Sequence, residues 1–103
     1  MPPSFTFHHN NNVITITLTG RLDTNHGPAL IEELQKLVGH PIEKIVFNAQ
    51  ALTYISSAGL RAIMFARKKI NPRDEVCIVG APSSVIDVIK ISGFDSFLVI
   101  KEN

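Results

Sequence analysis

Ser56 and Ser57 are adjacent hydroxyls placed where one structural element hands over to the next. Before them, Lys44-Ile45-Val46-Phe47-Asn48 reads as a buried strand. After them, apolar residues recur at helical spacing from Leu60 to Ile70. The pair therefore falls in the first turn of a helix, where unpaired backbone N–H groups and the positive end of the helix dipole face outward. A phosphate on either serine would be held by groups already present, which makes Tyr54 to Arg61 a candidate phospho-switch. The alternative is that Ser56 or Ser57 only caps the helix, a role worth ~1 kcal/mol.

Two further polar residues, Asp23 and Asn48, are placed by the pattern at the C-terminal ends of strands, the edge at which open α/β sheets gather their sites. With Ser56 and Ser57 they could share one rim. Equally, Asp23 could cap the first helix and Asn48 serve a turn.

Other chemistry finds little support. His8, His9, His26 and His40 are the only histidines, none stands four residues from another, and no Cys partners them in sequence. Metal-ligand spacing is therefore missing. The glycine loops GxxxxGK[ST] and GxGxxG do not occur, and Ser57-Ala58-Gly59 is not a GxSxG elbow. Sequence cannot decide a Ser–His–Asp triad, but 103 residues leave little room for a lined substrate pocket. No catalytic residue, metal or cofactor is expected, and the chain is not read as an enzyme.

Composition narrows the class further. A length of 103 residues fits a single domain over 1–103, and 45% apolar residues allow a real, small core. The formal net charge is +1 with basic residues dispersed, so nothing calls for nucleic acid or an anionic membrane surface. The densest basic run, Arg67-Lys68-Lys69, lies late in a predicted helix, where positive charge suits the dipole. The single Cys77, inside Val76-Cys77-Ile78-Val79, reads as a buried thiol in a reducing compartment. Met1-Pro2-Pro3-Ser4 lacks the basic and apolar regions of a signal peptide, and no apolar run nears the ~20 residues of a membrane span. The expectation is a cytoplasmic domain.

The elements follow from periodicity. Phe5 to His8 reads as an edge strand, followed by a polar turn from His8 to Asn12. Val13 to Thr19 alternates, with Ile14, Ile16 and Leu18 on one face and threonines on the other, so the two strands predict a hairpin. A helix beginning near Thr24 to Pro28 carries Ala29, Leu30, Leu34, Leu37 and Val38, and Gly39 with Pro41 stops it. Residues 44–48 form a strand whose continuous apolar trio predicts cover on both faces. A helix from about Ser57 to Ile70 presents Leu60, Ile63 and Met64, and Asn71 to Asp74 break it. Strand Glu75 to Val79, a helix over about Ser84 to Ser92 with Val85, Val88 and Ile89 inward, and a final strand Phe97 to Ile100 complete the order. The fold class is α/β, β-β-α-β-α-β-α-β, with one small, mixed, mostly parallel sheet of about five strands.

Three segments carry a family resemblance. Thr19-Gly20-Arg21-Leu22-Asp23, Ile45-Val46-Phe47-Asn48 and Leu52-Thr53-Tyr54-Ile55-Ser56-Ser57-Ala58-Gly59-Leu60 resemble the STAS domain of anti-sigma factor antagonists. Cys77-Ile78-Val79-Gly80 and Ile89-Lys90-Ile91-Ser92-Gly93-Phe94 also follow its course. The resemblance implies a non-catalytic, partner-switching regulator in a bacterial cytoplasm. Unphosphorylated, such a protein binds an anti-sigma factor that is also a serine kinase. Phosphorylated by it with ATP on a loop serine, it lets go, and a PP2C-type phosphatase restores it. The family loop reads Asp-Ser-Ser/Thr-Gly-Leu. Anchoring on Gly59-Leu60 sets Ser56 on the Asp, Ser57 on the acceptor and Ala58 on the second hydroxyl. The resemblance thus names Ser57 as the phosphorylated residue with Ser56 as runner-up, and Asp23, Asn48, Ser56, Ser57, Ala58, Gly59 and Arg61 as phospho-loop and partner surface. The same fold also serves as a docking piece of transport or signalling complexes without phosphorylation, and that alternative stays open.

Overall fold

A computed structural model describes residues 5–70 and 76–102. Five strands form one sheet in the order β1-β2-β3-β4-β5: Phe5–Asn10, Val13–Leu22, Lys44–Ile55, Val76–Val79 and Val99–Lys101. The hairpin pair β1–β2 is antiparallel and every other pair is parallel, the mixed sheet read from the alternation of elements. Three α-helices connect the strands: α1 (His26–Gln35), α2 (Ser57–Phe65) and α3 (Ser83–Ile91).

Alternation decides which way the sheet faces. Ile14, Ile16 and Leu18 of β2, Ile45 and Phe47 of β3, and Val76 and Ile78 of β4 are buried and belong to one cluster with Leu30, Leu34, Leu60, Ile63, Val85 and Ile89 of the helices. The residues between them, Val13, Thr15, Thr17, Val46 and Asn48, are only half-buried. The trio in β3 therefore does not have both faces covered as its hydropathy predicted: Val46 looks toward the less covered side. Cys77 is buried and forms no disulfide.

Several boundaries differ from the sequence reading. His8 and His9 belong to β1, and the turn is only Asn11-Asn12, because Asn11 takes the left-handed conformation (φ 58°) that asparagine tolerates. α1 ends at Gln35; Leu37 is buried in the turns that follow, tightened by bonds from Leu37 N–H to Leu34 O and from His40 N–H to Leu37 O. Ala29 and Val38, counted in the apolar spacing of this helix, are exposed. α2 widens after Phe65 into a π-helical turn, Ala66–Ile70, from which Arg67 Nε donates to Phe97 O at 3.1 Å. The predicted last strand begins later, since Gly93 (φ 80°) leads into a 3-10 turn, Phe94–Phe97. The break at Asn71 to Asp74, the start of the Glu75 strand and the Met1 to Ser4 segment lie outside the described residues.

The largest difference is the length of β3. It runs to Ile55, and Asn48, its last paired residue against β4, lies in mid-strand. Beyond Asn48 the strand pairs only with β2, and it carries two extra residues relative to β2: Thr17 and Thr19 face Asn48 and Ala51, and Gly20 and Arg21 face Leu52 and Tyr54. Such bulges bend a strand and increase its twist. The Asn48 side chain accepts from Gln50 N–H at 3.2 Å at the first shift, and Thr53 Oγ donates to Gly20 O at 2.9 Å at the second. The β2–β3 ribbon thus rises past the rest of the sheet and ends with Leu22 beside Ile55.

Above that end the first turns of α1 and α2 cross in close contact. A Cβ on Gly27 would lie 2.6 Å from Ala58 O, a distance no real Cβ holds. Gly27→Ala must separate the helices, and a loss of about 1–3 kcal/mol is expected in urea unfolding. Ile63 is fully buried, with Leu60 and Met64 beside it, while Arg61, Lys68 and Lys69 are exposed as the helical spacing predicted. Ile63→Ala is expected to lower stability by about 2–4 kcal/mol, read from the same midpoint; an unchanged midpoint would contradict the packing.

Candidate functional site

The two serines have separate environments. Ser56 is buried, extended (φ −94°, ψ 173°), and is the N-cap of α2. Its N–H donates to Leu22 O at 2.9 Å and its hydroxyl to the same oxygen at 3.3 Å. The hydroxyl also accepts from Gly59 N–H at 3.2 Å, and Ser56 O accepts from Leu60 N–H at 2.9 Å. One residue thus ties the end of β2 to the start of α2 and occupies two of the helix's leading N–H groups. Ser57, the next residue, is exposed in the first turn of the helix.

Ala58 and Gly59 are small because backbone approaches them. Ala58 is nearly buried and its carbonyl meets Gly27. A Cβ on Gly59 would lie 2.6 Å from Leu22 O and 2.9 Å from Ile55 Cγ1. The Ser-x-x-Gly spacing is therefore a packing requirement: the cap at Ser56 draws Gly59 down onto the strand end, where no side chain fits. Arg61 lies one turn after Ser57, exposed, on the same side of the helix.

Asp23 stands directly after Leu22, at the true end of β2. Its Oδ1 accepts from Asn25 N–H at 3.0 Å and His26 N–H at 3.2 Å, and its carbonyl accepts from Gly27 N–H at 2.9 Å. The side chain thus organises the first turn of α1. Partial burial works against its ionisation, but the two N–H donors and the neighbouring His26 outweigh that and hold its carboxyl below the usual range. Whatever Asp23 contributes to stability is complete above the ordinary carboxylate range and fades as pH falls through its lowered value. His26 Nδ1 lies 2.9 Å from Asp23 Oδ1, yet this buried nitrogen has no hydrogen-bond partner of good geometry.

Asp23, Ser56 and Ser57 thus follow the paired strand ends Leu22 and Ile55, whereas Asn48 lies in mid-strand, away from that end. Six residues of β3 separate Asn48 from Ile55, on the order of 20 Å of strand. Three other residues stand at this end and were given no role of their own from sequence. Gly27 and His26 arrive through the helix crossing, and Tyr54, 40% exposed, carries Arg21 over its ring at 4.1 Å. An exposed aromatic one residue before the end of a strand was a usable signal; the approach of Gly27 to Ala58 had none. Among the described residues, no group of three or more His, Cys, Asp and Glu side chains could hold a metal, and no helix is long and apolar enough to cross a membrane.

The architecture has solved counterparts. The unphosphorylated form of the anti-sigma factor antagonist SpoIIAA superposes with a TM-score of 0.75 at 12% identity, over 93% of this chain and 86% of that one. SpoIIAA of Bacillus in its phosphorylated form gives 0.74 at 14%, over 93% and 89%. An anti-sigma factor antagonist from Mycobacterium paratuberculosis gives 0.81 at 18%, over 94% and 83%. No curated protein matches the chain by sequence. At these identities the solved structures establish the shared fold, a five-stranded mixed sheet with three helices. The family model of the STAS domain matches residues 4–103, nearly the whole length, and the chain belongs to the STAS domain family.

Proposed function

We propose that this chain is a partner-switching regulator of the anti-sigma factor antagonist type, with Ser57 as its phosphorylated residue. The observation that carries the reading is the division of labour between the serines. Ser56 is buried and committed to the helix cap, whereas Ser57 is exposed in the adjoining first turn. A kinase can reach Ser57 without unfolding α2. Ser56 is accessible only if the cap and the Leu22 contact are given up.

In this reading the unphosphorylated rim, made of Ser57, Arg61 and the first turns of α1 and α2, docks on an anti-sigma factor that is also a serine kinase. The kinase transfers the γ-phosphoryl group of ATP to Ser57 Oγ, which loses its proton. A PP2C-type phosphatase hydrolyses the ester and restores the hydroxyl. The phosphate brings about −1.5 to −2 charges at pH 7. Within the chain that charge stands at the positive end of α2 and needs no rearrangement. Against a partner it must be desolvated opposite a surface fitted to a neutral hydroxyl, which is costly. Loss of ~3 kcal/mol weakens binding by roughly a hundredfold. The switch then resides in the interface and not in a change of fold.

The Ser56 substitution for the family's aspartate fits this reading. Both residue types serve as N-caps, so the turn is preserved while a negative charge beside the acceptor is removed.

Two tests follow. With the candidate kinase and ATP, phosphopeptide mapping is expected to show labelling lost in Ser57→Ala and retained in Ser56→Ala. Ser56→Ala should instead lose about 1 kcal/mol of stability from its missing cap. Full labelling of Ser57→Ala would overturn the assignment.

The second test compares Ser57→Asp with Ser57→Ala by calorimetric titration against the kinase, beside melting curves. The two should melt alike, because the first helical turn accepts a negative charge. Ser57→Asp should bind far more weakly, and Ser57→Ala should bind well and resist inactivation by ATP. Equal affinities would favour a docking subunit that is not phosphorylated.

A further inference from the structure

Two residues of α2 are exposed, Ser57 and Arg61; Ala58, Gly59, Leu60, Ala62, Ile63 and Met64 are buried, and Phe65 is half-buried. Arg61 is also the one charged residue of this helix, which carries no acid.

Helical spacing restricts what Arg61 can meet. Its neighbours one turn earlier are Ser57 and Ala58, and those one turn later are Met64 and Phe65. Of these four, Ser57 alone has a polar side chain. The direction of the side chain leads to the same residue. Cα–Cβ bonds in a helix tilt toward its N-terminus, so a long side chain lies over the turn before its own Cα. For Arg61 that turn begins at Ser57. Among the described residues no ion pair or hydrogen bond engages its guanidinium.

The other charged groups at this end are already engaged. Arg21 lies over the Tyr54 ring at 4.1 Å. Asp23 accepts from the N–H groups of Asn25 and His26, and His26 Nδ1 stands 2.9 Å from its Oδ1. The next cations along the helical run, Arg67, Lys68 and Lys69, follow in the π-helical turn, with Arg67 roughly 15 Å from Ser57 along the axis.

We propose that Arg61 is the phosphate-holding residue of this loop: a phosphate on Ser57 and the Arg61 guanidinium close an ion pair across one turn of α2. The pair presupposes the proposed function, since it requires phosphate at Ser57. The order of charges is the favourable one, anion toward the N-terminus and cation four residues on. The fork of a guanidinium matches two phosphate oxygens at once, which an ammonium does not. No backbone change is needed, because both side chains stand on one side of a formed helix. One modification then changes the rim twice. It adds an anion at Ser57, and it withdraws the cation of α2 from whatever that cation faced before. The pair is complete above about pH 7 and weakens as pH falls through the second ionisation of phosphoserine, near 6.

The test uses the full ¹⁵N-labelled chain with phosphoserine placed at position 57 during synthesis, so that no kinase is involved, beside its Arg61→Gln and Arg61→Lys variants. Phosphorus NMR follows the phosphate against pH. A neighbouring cation favours the dianion, so the midpoint is expected roughly 0.3 pH units lower with Arg61 than in Arg61→Gln, about twofold in the ionisation constant and the size of one helical ion pair. Arg61→Lys should keep part of that shift. Asp23, His26 and Arg21 are common to all three chains and cancel in the comparison. The Arg61 Nε–H signal should move with the same midpoint, a measurement that needs no substitution. Equal midpoints with Arg61 and in Arg61→Gln, or an Nε–H signal indifferent to the phosphate, would overturn the pair. A kinase that leaves Ser57 unlabelled would overturn the proposed function instead, and the pair measured on the synthetic phosphoserine would stand.

Discussion

The carbonyl oxygen of Leu22 is the point on which this architecture turns. It accepts two bonds from Ser56, one from the backbone N–H and one from the hydroxyl, and it limits Gly59 to a residue without a side chain. Through it the end of β2 fixes where β3 must stop and where α2 must start. Were this acceptor displaced, Ser56 could not cap α2 in its present place, and Ser57 would not stand in an ordered first turn. The position of the candidate acceptor hydroxyl is therefore set by a strand from an earlier part of the chain and not by its own loop.

Small residues complete the arrangement. Gly27 and Gly59 allow two helices and two strands to converge on one point, each by removing a Cβ that would meet a carbonyl oxygen. Close backbone approach of this kind leaves little freedom for the loop to adapt. Under the proposed function, a phosphate at Ser57 would meet a preformed surface, and a change in charge is the simplest signal such a surface can send. Asp23 organises the neighbouring turn from the other side, with its carboxylate held ionised by the N–H groups of Asn25 and His26.

Much of this was legible from pattern. Alternation in Val13 to Thr19 assigned the buried face of β2, and the spacing of Leu60, Ile63 and Met64 assigned that of α2, because each depends on one period and one layer of cover. Ser56 and Ser57 fell in the right turn for the same reason. The misses arise where two periods meet. β3 changes register twice, so its alternation is broken after Ala49 and the strand looked finished at Asn48. That error carried Asn48 onto a rim from which it is far removed. The polar string His8 to Asn12 read as loop, although an edge strand with one exposed face tolerates such residues. The crossing at Gly27 joins it to Ala58, thirty-one positions away, through backbone alone, which no local spacing records.

The overhang of the β2–β3 ribbon also has a consequence for motion. Residues 45–48 are held by hydrogen-bonded ladders on both sides, whereas 49–55 have a neighbour on one side only. Opening the upper ribbon breaks one ladder and the contacts with α2, leaving the lower sheet intact. Its amides therefore exchange with solvent through a smaller, cheaper fluctuation than those of the sheet centre. Under the proposed partner switch, a partner that grips the rim would tighten this local equilibrium, and its departure would be felt first as faster exchange in the ribbon.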